Sequence, residues 1–102
     1  MRTYVLDGKT PVPEPDLSTW VQWLGSADRC VALTEQGDVS VSTVFLGLDH
    51  NHFGPTPLLF ETMVFLADKS NETVHYSTWE EAEKGHAEMV KLALSKRYER
   101  VK

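Results

Sequence analysis

The chain has 102 residues, 41% of them hydrophobic, with three Trp, four Phe and three Tyr, which is enough for one domain, 1–102, with a core of its own. Fifteen Asp and Glu against ten Lys and Arg leave a formal charge of −5, which opposes direct binding to a nucleic-acid backbone and reads as solubility, with a basic partner as the alternative. No apolar run approaches the roughly 18 residues of a membrane span and MRTYVLDGK lacks the apolar stretch of a secretory signal; the single Cys30 allows neither an intrachain disulfide nor a cysteine-based zinc cluster. A cytoplasmic setting without a membrane is expected.

In chain order, residues Thr3 to Leu6 read as a short strand, and the prolines of KTPVPEPD as a stiff connector. Asp16 is placed to cap a helix whose Leu17, Trp20, Val21 and Leu24 recur at i, i+3, i+4 and i+7, with Gly25 as the stop. Trp23 falls about 60° outside that stripe at 100° per residue, which makes it a candidate contact residue. Residues Arg29 to Glu35 form a strand that turns through Gln36, Gly37 and Asp38 into VSVSTVFL. There Val39, Val41, Thr43 and Phe45 share one face, the pattern of a central strand covered on that side.

Leu58 to Leu66 is the next strand, and Thr73 to Tyr76 follows after the polar ADKSNET. The final helix opens with a capping box, Ser77 or Thr78 followed three residues on by Glu80 or Glu81. Trp79, Ala82, His86, Met89, Val90 and Ala93 form its apolar stripe, and the tail after Ser95 frays. The elements predict an α+β fold: an antiparallel meander of about four strands packed by two amphipathic helices.

The chemistry concentrates in the DHNHFGP loop. Asp49, His50, Asn51, His52 and Phe53 form a candidate binding surface together with Trp23. His50, His52 and Glu61 offer a zinc-type ligand set, with Asp49 orienting an imidazole, and would make a metal-dependent hydrolase. The competing reading is a stiff turn in which Asp49 and Asn51 bond to backbone amides while Gly54, Pro55 and Pro57 enforce the bend. His86, on an apolar stripe, reads as a hydrogen-bonded core histidine, and Cys30 as a small packed residue. GxSxG, GxGxxG and GxxxxGK signatures are missing, so acyl transfer, dinucleotide and kinase-like chemistry lack local support.

From about Trp20 to Val90, and most closely at Ser42 to His50, Leu59 to Phe65 and Thr78 to His86, the sequence resembles small uncharacterised proteins encoded in tailed-phage and prophage genomes. Its NHFGPTP turn departs from that group, which has more glycines there, so His52 is not carried over. The resemblance implies a phage source and brings no reaction with it, and the reading is an accessory protein in the host cytoplasm, with no cofactor unless the loop holds zinc. Such proteins bind a host or phage protein, in some cases as counter-defence inhibitors, or a small signalling ligand; a structural virion or assembly component is the other class. Exposed strand edges also allow a homodimer.

Overall fold

The computed structural model describes residues 2–51, 54–66 and 71–101, of which 96–101 are described by backbone alone. Two antiparallel sheets and two helices follow the order β1 (Tyr4–Asp7), β2 (Thr10–Pro13), α1 (Leu17–Ser26), β3 (Cys30–Gln36), β4 (Val39–Phe45), β5 (Phe60–Phe65), β6 (Asn71–Tyr76) and α2 (Trp79–Val101). The larger sheet is the expected meander, β3-β4-β5-β6, and α2 lies across one of its faces. The α+β class is therefore as the sequence predicts. Among the described residues no helix is long and apolar enough to cross a membrane.

The strict alternation of β4 produces its burial pattern. Val39, Val41, Thr43 and Phe45 are buried under α2, while Ser40, Ser42 and Val44 are half-buried on the opposite face. A one-residue slip would exchange these two sets, so the apolar pattern also fixes the register. Gly37, at φ 60°, makes the tight turn from β3 to β4, a conformation that costs a side-chain-bearing residue more than glycine.

Thr78 and Glu81 close the capping box of α2: Glu81 N donates to Thr78 Oγ1 at 3.1 Å and Thr78 N donates to Glu81 Oε1 at 3.1 Å. Ala82, His86 and Ala93 are buried against the sheet and Met89 and Val90 half-buried, so the stripe lies where the periodicity puts it. The helix runs to Val101.

The core under α2 is divided. Val39, Val41, Val64, Leu66 and Ala93 form one cluster, with Met89, Val90 and Leu94 against it. Phe45, Leu59, Phe60 and Ala82 form the other, joined by Tyr4, Leu6, Trp23, Val31, Tyr76 and Trp79. The second is held by aromatic contacts, Trp23 and Phe60 each standing against Phe45 and Trp79 standing edge-on to Phe60.

Several expectations are corrected. The proline segment is a strand: β2 pairs with β1, from Tyr4 opposite Pro13 to Asp7 opposite Thr10. Prolines are tolerated there because a two-stranded ribbon has two edges on which no donor is needed. Helix α1 runs past Gly25 to Ser26 and ends on Ala27, whose N–H returns to Trp23 O. Its roll also differs from the periodicity, leaving Leu17 and Val21 exposed at 61% and 59%. The cause is Trp20, whose Nε1 donates to Tyr4 O and Gly47 O, both at 3.1 Å, and holds the helix with Trp23 toward Phe45. Cys30 is exposed rather than packed, and β6 begins at Asn71 instead of Thr73.

Candidate functional site

The loop after β4 is built from its own side chains. Asp49 Oδ1 accepts from Asn51 N at 2.8 Å and from Leu58 N at 3.0 Å, so one carboxylate oxygen ties the start of the loop to its end. Asn51 continues the pattern, donating through Nδ2 to Thr56 O at 2.6 Å and accepting from Gly54 N at 2.9 Å. The other Asp49 oxygen lies 3.0 Å from Arg2 Nη2, and with its side chain only 5% exposed the carboxylate is well shielded by these partners. This is the turn chemistry anticipated for Asp and Asn. Both are committed to the loop's shape.

His50 donates its backbone N–H to Leu58 O at 3.0 Å, while its exposed ring stacks on His75 with centroids 5.4 Å apart and planes 21° from parallel. Glu61 meets His75 rather than His50, because the β5–β6 register places the two directly opposite each other. Glu61 Oε2 stands 3.0 Å from His75 Nε2, an electrostatic contact that falls short of hydrogen-bond geometry, so Nε2 is shielded from water without a hydrogen-bond partner. His52 and Phe53 lie outside the described residues. Among the described residues no group of three His, Cys, Asp or Glu side chains is arranged to hold a metal ion. Two stacked rings carry their in-plane lone pairs side by side rather than toward one point, so His50, His75 and Glu61 do not converge as ligands.

Trp23, the other candidate contact residue, packs its ring toward the core and keeps part of its surface exposed. It is half-buried and its ring is edge-on to Phe45, centroids 5.8 Å apart.

The loop instead borders a cleft that residue-type reasoning missed. Arg2, Thr3, Tyr4, Pro13, Pro15 and Leu17 line it, and its volume is about 640 Å³. Arg2 also pairs with Asp49, Thr3 bridges to Leu48, and Tyr4 N donates to Gly47 O at 2.8 Å, so cleft and loop are one continuous surface. Gly47 makes this approach possible: at φ 77°, a Cβ there would sit 3.1 Å from Leu24 Cδ1 and 3.2 Å from Tyr4 O. A second, open depression, lined by Leu17, Ser18, Val21 and Gln22, extends the apolar strip along α1. Part of its apolar lining is Pro13 and Pro15, which lie just before the start of α1.

One imidazole is fully engaged. His86, 6% exposed, has Nδ1 2.7 Å from Thr43 Oγ1 and Nε2 2.9 Å from Thr34 Oγ1, and Thr43 Oγ1 is 2.5 Å from Thr62 Oγ1. Burial lowers its pKa from 6.5, because a charged ring loses hydration that the hydroxyls only partly replace. Thr43 and Thr62 are wholly buried, so this His–Thr pairing is a core network, as the stripe position suggested.

Comparisons with protein families, curated proteins and solved structures found no match.

Proposed function

We propose that the chain is a non-enzymatic binding protein, of the phage accessory kind its sequence resembles. It engages a host or phage protein through the cleft of Tyr4, Pro13, Pro15 and Leu17, the exposed Leu17–Val21 strip and the adjoining flank of the Asp49–Asn51 loop. The observation that carries this reading is the exposure of Leu17 and Val21 beside a preformed, mostly apolar cleft. Concave apolar surface with a few polar groups at its edge is what ligands and partner side chains fill, whereas scattered single exposed residues signify little. A rigid loop adds affinity by lowering the ordering cost of association.

The test is capture from infected cells with wild-type protein and with Leu17→Glu/Val21→Glu, both first shown to be folded by circular dichroism. A partner of unchanged mass, retained by wild type and lost by the double variant, supports the reading. A partner held equally by both places binding elsewhere, and a covalently altered partner argues for chemistry.

A metal-dependent hydrolase is the second reading, favoured by one observation: the loop brings His50 onto His75 beside Glu61. It requires those rings to turn toward a common ion.

A further inference from the structure

The His86 network lies between the two hydrophobic clusters and separates them. Toward the N-terminus of α2, Trp79 and Ala82 belong to the aromatic cluster, and Gly85 lies so close over Tyr76 that a Cβ there would stand 2.2 Å from the ring. Toward the C-terminus, Met89, Val90, Ala93 and Leu94 pack with the aliphatic side chains of Val39, Val41, Val64 and Leu66. Gly85, a weak helix former by about 1 kcal/mol relative to Ala, marks the boundary between a firmly keyed half-helix and a more loosely seated one.

We propose that His86 is a proton-operated latch: protonation of its ring releases the C-terminal half of α2, residues 86–95, from β3, β4 and β5, while the N-terminal half stays on the aromatic cluster. The neutral ring has one donor and one acceptor nitrogen, matched by Thr34 and Thr43 in either tautomer. A protonated ring must donate from both nitrogens, which forces both hydroxyls to act as acceptors and places a charge against partners that carry no counter-charge. From β3, β4 and β5 those groups are Thr34, Thr43 and Thr62 with apolar neighbours; β6 contributes Tyr76 and, farther along, the exposed Glu72. On α2, Glu83, Lys84 and Glu88 are exposed on the solvent side. An uncompensated buried charge is relieved most cheaply by exposing it, and the aliphatic half is the one that can open alone. Burial, which lowers the ring's pKa, sets the latch to stay closed at neutral pH. Opening uncovers the Val39, Val41, Val64 and Leu66 surface.

The test is amide hydrogen exchange on the whole chain at about pH 7.5 and about pH 5, bracketing the ordinary histidine range, with rates converted to protection factors to remove the intrinsic pH dependence. In wild type the amides of residues 87–94 lose protection by about ten-fold or more while those of residues 80–84 and of β4 and β5 keep theirs. In His86→Gln the loss disappears, whereas in His75→Gln, the control for the other described imidazole contacts, it remains. Equal losses along the whole of α2, or an unchanged loss in His86→Gln, overturn the proposal. Should His86→Gln fail to fold, a wild-type NMR titration of the ring decides: protonation in step with opening of 87–94 supports the latch, and a ring that protonates with the helix still docked refutes it.

Discussion

Replacing Gly85 by Ala should destabilise the protein even though alanine is the better helix former. The added Cβ would stand 2.2 Å from Tyr76 Cε1 and 2.3 Å from its Cζ and Oη, more than an ångström inside the ordinary contact distance of about 3.5–4.0 Å. Tyr76 cannot swing away freely, since it is half-buried in the aromatic cluster and belongs to β6. Overpacking of this kind costs about 1–3 kcal/mol, against a helix-propensity gain of about 1 kcal/mol. The net expectation is a loss of up to about 2 kcal/mol, or up to about 8–16 °C in Tm for a domain of this size. The assay is urea denaturation of Gly85→Ala, Tyr76→Leu and the double variant. With the ring removed, Gly85→Ala should stabilise, so the coupling changes the sign of the substitution. A stabilising Gly85→Ala in the wild-type background would refute the reasoning.

Three further outcomes follow from the same geometry. Asp49→Ala should cost about 2–3 kcal/mol by orphaning the Asn51 and Leu58 amides, whereas Arg2→Ala should cost less than about 1 kcal/mol because its guanidinium is largely solvated; denaturant midpoints distinguish the two. Thr43→Val should cost about 1–3 kcal/mol and more than Thr62→Val, since only Thr43 serves the imidazole, again read from unfolding curves. Stability should fall as pH drops through 6.5 toward the lowered native pKa of His86, because in that interval the unfolded chain binds the proton more readily; the contribution is complete above 6.5. His86→Gln should flatten that part of the stability profile, and a profile identical to wild type would contradict it.

The parts of the fold written in local pattern were legible. The alternation of Val39, Val41, Thr43 and Phe45 gave a covered central strand, and Thr78 with Glu81 marked the start of α2, because each signal acts within a few residues. The roll of α1 was not legible, since it depends on Trp20 Nε1 reaching carbonyls 16 and 27 residues away. The partner of Glu61 was hidden for a related reason: the β5–β6 register sets it opposite His75, and register depends on the pairing of whole strands. In the loop, Asp49 and Asn51 have both turn and ligand chemistry by residue type. Their bonds to Leu58 N, Thr56 O and Gly54 N engage the turn chemistry, and only the closed loop reveals which. The cleft was hidden because prolines in a sequence suggest a break, and here they line a ribbon beside a helix.

The proposed binding function requires the loop to serve as a self-bonded scaffold for contact rather than as a metal-dependent active site. The most direct measurement is a calorimetric zinc titration of protein purified without a histidine tag, together with its metal content and the same two measurements on His50→Ala. The account predicts no tightly held ion and no specific heat in either protein. About one ion per chain, bound tightly by wild type and lost in His50→Ala, would contradict it and move the function to the loop's histidines.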